Sequence, residues 1–243
     1  MQRPLAGRIT LVTGASRGLG RAAALALAEA GSHIVAVART VGGLEELDDE
    51  IRRIGGEATL VPLDLKDGNA IDKLGAIVFQ RWGKLDGLLG NAGVLGVITP
   101  VSHLDVKVWD EAIAVNLSAN WRLIRSMDPL LRRSPSGRAL FITSGAPRNL
   151  RSYWGAYSVS KAGLEALVRT YAGENARTGI RANLLDPGPL RTAMRATAMP
   201  GEDPMTLPEP KTITPRIVEM LSPSFDANGI VFDVRAAVNR EQG

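Results

Sequence analysis

The chain has 243 residues, 45% of them hydrophobic, which suits one domain with a full core. With no cysteine, and with His33 and His103 far from any acidic cluster, disulfide scaffolds and metal sites are not expected. The charge of +4 is scattered, no apolar run reaches the roughly 18 residues of a membrane span and no signal-peptide pattern leads in, so a cytoplasmic protein with neither nucleic-acid nor membrane partners is expected.

Residues 8–12 read as a first strand, and Thr13-Gly-Ala-Ser-Arg-Gly-Leu-Gly20 as a turn opening an Ala- and Leu-rich helix over 19–30. Gly14, Gly18 and Gly20, with Ser16, Arg17 and Leu19 between them, would let backbone approach a pyrophosphate at the helix N-terminus. Gly31 ends that helix and 33–38 form a second strand. There a dinucleotide site for NAD carries an acid that grips the ribose, but this chain has Ala38, Arg39 and Thr40. Arg39 and Arg17 suit a ribose 2′-phosphate; each alone also reads as plain surface charge, and together with the missing acid they favour NADP over NAD.

Leu44, Leu47, Ile51 and Ile54 mark a helix that ends at Gly55-Gly56, and 58–63 a third strand. Asp64-Leu65 follows, with Asp64 a candidate N-cap for a helix from Lys66 whose buried face holds Ile71, Leu74, Ile77 and Val78. Residues 86–90 form a fourth strand leading to Asn91-Ala92-Gly93. One long helical pattern covers 104–131 and contains Asn116, whose buried amide needs a partner. Val108, Trp109, Ile113, Leu117 and Trp121 make it apolar on more than one side, which points to subunit contacts.

Residues 138–143 form a fifth strand delivering Ser144, and a helix from Tyr153 carries Tyr153, Tyr157 and Lys161 on one face. Only Tyr157 has a lysine four residues on, and an ammonium there can hold a phenol below its usual pKa of about 10. Ser144 could bond the oxygen that Tyr157 protonates, while Tyr153, Trp154 and Leu150 shape a pocket. Residues 180–185 form a sixth strand ahead of Pro187-Gly-Pro-Leu-Arg-Thr192. Prolines at 200, 204, 208, 210 and 215 make 193–215 irregular, so the segment 189–215 reads as a lid over the substrate, followed by a short helix at 217–221 and a last strand at 229–233. Arg148, Arg151, Arg191 and Arg195 flank the opening; an anionic substrate and ordinary surface charge both account for them.

Together the Thr13–Gly20 turn, Asn91-Ala-Gly93, Asn116, Ser144, Tyr157, Lys161 and Pro187-Gly188 resemble the short-chain dehydrogenase/reductase superfamily across nearly the whole chain. The resemblance implies Tyr157 as general acid/base, Lys161 lowering its pKa and holding the nicotinamide ribose, Ser144 orienting a carbonyl, and Asn116, at a local helix kink, supporting a proton-relay water. It also implies Asp64 and Leu65 at the adenine, and Asn91 tying strands together while Ala92 and Gly93 line the cofactor edge. Pro187, Gly188, Leu190 and Thr192 would lie under the nicotinamide and pyrophosphate. Family members pair the Asn116 and Tyr157 helices into dimers and tetramers. They often follow the last strand's aspartate with glycines, where this chain continues Val234-Arg235.

Alternating strands and helices argue an α/β fold: a single-domain, doubly wound Rossmann parallel sheet of about seven strands with helices on both faces. The function this implies is NADP(H)-dependent hydride transfer to or from a carbonyl or secondary alcohol. The alternative is a catalytically idle NADP-binding regulator, and the complete Asn, Ser, Tyr and Lys set weighs against it.

Overall fold

The computed structural model describes residues 3–236; Met1, Gln2 and residues 237–243 lie outside the described residues. Seven strands form one sheet: β1 (Ile9–Thr13), β2 (His33–Ala38), β3 (Ala58–Pro62), β4 (Gly87–Gly90), β5 (Arg138–Ile142), β6 (Arg181–Asp186) and β7 (Val231–Asp233). Their order is β3-β2-β1-β4-β5-β6-β7 and every pairing is parallel. β1, β4 and β5 are buried at every position, as central strands covered on both faces must be, while the edge strands β3 and β7 are mostly half-buried. After β3 the chain crosses back to place β4 on the far side of β1, so the connections after β1 and β4 diverge. That reversal opens a crevice at the carboxyl ends of the strands.

The helices are α1 (Gly18–Glu29), α2 (Val41–Arg53), α3 (Gly68–Trp82), α4 (Val106–Ile113), α5 (Ala119–Leu131), α6 (Ala146–Asn149), α7 (Gly155–Glu174), α8 (Ala193–Ala198) and α9 (Thr214–Met220). On one sheet face α3, α5 and α7 bury Leu74, Val78, Leu123, Met127, Leu164 and Val168. On the other, α1, α2 and α9 bury Leu27, Leu44, Leu47, Ile51, Ile217 and Met220. Leucine and isoleucine recur there at three- and four-residue steps, so each helix presents one apolar stripe to the sheet. Among the described residues no helix is long and apolar enough to cross a membrane, and no three metal-ligating side chains cluster.

Strand bounds match the sequence reading to within two residues; the helices differ more. The single pattern over 104–131 is α4, a π-helical turn at Ala114–Ser118 and α5, preceded by a 3-10 turn at Val101–His103. On α3, Ile77 is 54% exposed, because it falls off the stripe set by Ile71, Leu74 and Val78. α9 begins at Thr214, three residues before the expected helix, because Pro215 sits in its first turn, where a missing N–H costs nothing. The helix expected from Tyr153 starts at Gly155, since Tyr153 has a left-handed φ of 75° that a regular helix excludes.

Candidate active site

The loops following β1 to β6 meet around one cleft of about 740 Å³. At one end the β1–α1 turn is built so that only glycine fits. Gly14 has a φ of +66°, and a Cβ there would lie 2.9 Å from Asn91 Nδ2. A Cβ on Gly20 would lie 2.2 Å from the Gly14 carbonyl oxygen, so Gly20 stands behind the cleft wall and lets α1 close onto the turn. Arg17 caps α1 without a side-chain bond, and no acidic residue occupies the first turn, which leaves its N–H groups and positive dipole end to an anion. Arg17 and Arg39 line this end, both exposed, and neither has a carboxylate at ion-pair distance among the described residues.

Asp64 and Leu65 line the same end. Asp64 is not a helix cap, however. Its Oδ1 accepts from the Lys66 N–H at 3.0 Å and its carbonyl from the Asp67 N–H, a turn that delays α3 until Asp67 caps it through the Ala70 N–H. Across the crevice Asn91 Nδ2 donates to the Thr13 carbonyl at 2.9 Å, and Thr13 Oγ1 accepts from the N–H groups of Asn91 and Ala92. These bonds lock the ends of β1 and β4 together and set the backbone of Ala92 and Gly93 on the wall.

At the other end stand Ser144, Tyr157 and Lys161, on the wall with Pro187, Gly188, Leu190 and Thr192. Ser144 leaves the end of β5 and accepts from the Ala146 N–H at 3.2 Å. Lys161 is buried, and its Nζ donates to the Ile142 carbonyl at 2.7 Å and lies 5.8 Å from the Tyr157 ring centre. Asn116, fully buried behind the wall, receives the Val94 N–H at 2.8 Å and donates to the Val94 carbonyl and to Ser160 Oγ, each at 2.9 Å. Asn116 lies in the π-helical turn, and Asn120 Nδ2 donates to the Asn116 carbonyl at 2.8 Å. A Cβ on Gly93 would lie 3.2 Å from Asn116 Oδ1 and 3.6 Å from Lys161 Nζ, so glycine there keeps those two groups close.

The electrostatics run against the lowered phenol expected from the i,i+4 spacing. Burial pushes Tyr157 up to about 12, with the Ser144 hydroxyl pulling it down and Asp186 pushing it further up. Lys161 is itself pushed down to about 8 by burial, against the pull of Glu165. For the buried ammonium, which donates to a carbonyl, and for the buried phenol alike, desolvation is the largest influence.

Of the expected site residues, Gly20 and Asn116 lie behind the wall and the others on it. Trp154 also lines the cleft, its ring edge-on to Tyr157 at 6.0 Å, but Tyr153 and Leu150 do not. They are 56% and 72% exposed; both have a left-handed φ, 75° and 44°, and the Tyr153 carbonyl accepts from the Thr99 N–H at 3.0 Å. Among the charged residues of the wall, the sequence reading assigned no place at the site to Asp186 and Arg235. Asp186 is almost fully buried, accepts from the Gly188 N–H at 3.0 Å and pairs with Arg148, which also reaches Glu165 at 3.2 Å and Asp233 at 3.3 Å. An acid directly before Pro187-Gly188 at a parallel strand's end was the available signal. Arg235 was visible only as a departure from the glycines that often follow the last strand.

Residues 8–203 match the family model for short chain dehydrogenase. The chain belongs to the short-chain dehydrogenase/reductase family. Within that family of nicotinamide-dependent oxidoreductases, it is 35% identical to the oxidoreductase YciK of Escherichia coli K12 over 232 residues, covering 94% of this chain and 92% of YciK. A short chain dehydrogenase from Shigella flexneri 2a, solved as a complex with NADP, superposes with a TM-score of 0.93 at 34% identity, over 97% of this chain and 100% of that one. A short chain dehydrogenase from E. coli CFT073, solved with NADPH, gives 0.90 at 35% identity, over 96% and 98%.

Proposed function

We propose that the chain is an NADP(H)-dependent reductase or dehydrogenase that interconverts a carbonyl and a secondary or primary alcohol. The observation that carries this reading is the meeting of Ser144, Tyr157 and Lys161 at one end of a cleft whose other end presents the glycine turn, Arg17 and Arg39. The cleft fits the cofactor on its own geometry: backbone approach at Gly14, N–H groups at the start of α1, and two guanidinium groups, without a carboxylate partner among the described residues, at the end where a 2′-phosphate would lie. Two of the similar structures hold NADP or NADPH, which supports the same assignment.

When bound, the nicotinamide supplies or accepts the hydride. Tyr157 stays protonated at neutral pH, holding at Oη the proton that the substrate oxygen needs as the carbonyl carbon is reduced. Ser144 orients that oxygen toward the phenol. Lys161, held by the Ile142 carbonyl, is placed to grip the nicotinamide ribose, and Asn116, bonded to Val94 and Ser160, supports a proton-relay water toward it. The segment 189–215 contributes Pro189, Leu190, Met194 and Thr197 to the wall and acts as the substrate cover within a single domain. The enzyme works as a dimer or tetramer through α4, α5 and α7, and its partner is a small molecule.

The test is NADPH oxidation against a panel of aldehydes, ketones and quinones, with Tyr157→Phe beside wild type. Turnover falls about 10²-fold or more in the variant while NADPH affinity stays within a few-fold. Equal turnover in the variant, or no turnover with any carbonyl while NADPH binds, overturns the proposal.

A further inference from the structure

Five arginines stand around the substrate end of the cleft, and the structure separates them. Arg148 is shared among Asp186, Glu165 and Asp233. Arg195 is held by both carboxylate oxygens of Glu202 at 2.5 and 2.6 Å, and Arg191 meets Glu209 at 3.6 Å. Arg151 and Arg235 differ. Both line the cleft, both are exposed, and among the described residues neither guanidinium has a hydrogen-bond acceptor or a carboxylate at ion-pair distance.

The placement of Arg235 is specific. Its backbone N–H donates to Asp233 Oδ1 at 3.0 Å, which fixes the turn leaving β7. From there the side chain lies back over the cleft. Its Cγ is 3.3 Å from where a Cβ on Gly188 would sit, and its Nη2 is 3.1 Å from where a Cβ on Gly145 would sit. Gly145 directly follows Ser144, so the guanidinium ends beside the residue that faces the Tyr157 phenol. The nearby carboxylate, Asp186, feels Arg235 through space, but its hydrogen bonds go to Arg148 and the Gly188 N–H and it is 2% exposed at its side chain, so a molecule entering the cleft meets the guanidinium rather than the acid.

We infer that the substrate carries a carboxylate or similar anionic group, bound by Arg235 and Arg151 beyond Ser144 while its carbonyl or alcohol carbon faces the nicotinamide. The inference rests on the oxidoreductase reading above. Arginine's planar fork suits a carboxylate in a bidentate contact, and a partly desolvated guanidinium on a cleft wall makes that contact more selective than an open surface would. Arg17 and Arg39 lie at the opposite end and serve the cofactor, so the two basic pairs recognise different anions.

Matched pairs of probes test this: 4-oxopentanoate against 2-pentanone, and 4-carboxybenzaldehyde against benzaldehyde, each with NADPH at fixed salt. The carboxylate member of a pair has the higher kcat/KM by about tenfold or more, the scale of one charge-assisted contact, and the advantage shrinks as salt rises. In Arg235→Gln and Arg151→Gln the ratio within a pair falls toward one. Equal use of both members by wild type, or a ratio that survives both substitutions, overturns the inference. A second measurement needs no turnover: benzoate and benzamide are titrated into the NADPH complex and followed by NADPH fluorescence. Benzoate binds the complex more tightly than benzamide, and each substitution removes the difference. Equal affinities, or benzoate that displaces NADPH and so occupies the Arg17 and Arg39 end, refute it. Carboxylate selectivity in binding with no reduction of any carbonyl would overturn the oxidoreductase reading and leave the anion site standing.

Discussion

Arg148→Ala tests how the site's buried carboxylate is held. In the wild type Asp186 is 2% exposed at its side chain and already sits above the ordinary carboxylate range, chiefly through burial, with the Gly188 N–H and Arg148 pulling it down and Asp233 pushing it up. Removing Arg148 deletes the hydrogen-bonded opposite charge and leaves Asp186, Glu165 and Asp233 to repel one another, with Arg235 the remaining cation that draws Asp186 down. A fully buried pair broken this way costs about 3–5 kcal/mol and a surface pair about 0–1. Arg148 is 38% exposed, so its loss is screened and about 2 kcal/mol is expected near pH 8. That corresponds to a fall of about 4–8 °C in Tm for a chain of this length. The penalty depends on pH in one direction. An acid whose folded-state pKa is raised destabilises the fold only where it must ionise, so the gap opens as pH rises through the wild-type folded value and is complete above the variant's. As pH falls Asp186 takes up a proton in the variant before it does in the wild type, and the gap shrinks toward the lost packing and the lost contacts to Glu165 and Asp233. Urea unfolding of both proteins at pH 5 and pH 8 measures it. A gap of the same size at both pH values, or a larger one at pH 5, refutes the account of Asp186 as an ionised partner of Arg148.

Gly20→Ala places a methyl 2.2 Å from the Gly14 carbonyl oxygen, where only backbone can yield, so NADPH affinity falls about tenfold or more by titration and stability drops by about 1–3 kcal/mol. Gly42→Ala, with open space around its Cβ inside α2, instead gains about 0.5–1 kcal/mol, which a melting curve shows. Arg39→Asp and Arg17→Ala each weaken NADPH by about 10- to 100-fold with little effect on NADH; equal affinity of wild type for both cofactors sinks the NADP assignment. Light scattering at micromolar concentration finds a dimer or larger, because Val106, Trp121 and Val159 on α4, α5 and α7 stand 71%, 45% and 48% exposed; a monomer refutes this.

The fold was legible because parallel strands covered on both faces are mostly apolar, so 34–38 and 139–142 show as apolar runs in any reading, with polar residues such as Arg138 at the strand ends. The glycine turn was equally legible, since Gly14 and Gly18 have left-handed φ and a Cβ on Gly20 would strike the Gly14 carbonyl. What was not legible depends on partners distant in the chain. Tyr153 stands outside the helix with its carbonyl bonded to Thr99, and Asp186 meets an arginine 38 positions away. Arg235 reaches the cleft only because β7 completes the sheet beside β6.

The same limit applies to the chemistry of Tyr157 and Lys161. Spacing of four residues on a helix brings two side chains to one face, but it does not fix which atom of one faces the other, nor how much water remains between them. Here both groups are buried, and the ammonium spends its hydrogen bond on Ile142 at the end of β5. Desolvation therefore outweighs attraction, raising the phenol and lowering the ammonium together. A phenol so placed keeps its proton across the neutral range, which favours donation to a nascent alkoxide, a far stronger base than water. In the proposed reaction the same raised pKa means that the proton must be drawn off Oη when an alcohol is oxidised, so burial sets the resting protonation state of Tyr157 while the cofactor and substrate set the direction of the overall reaction.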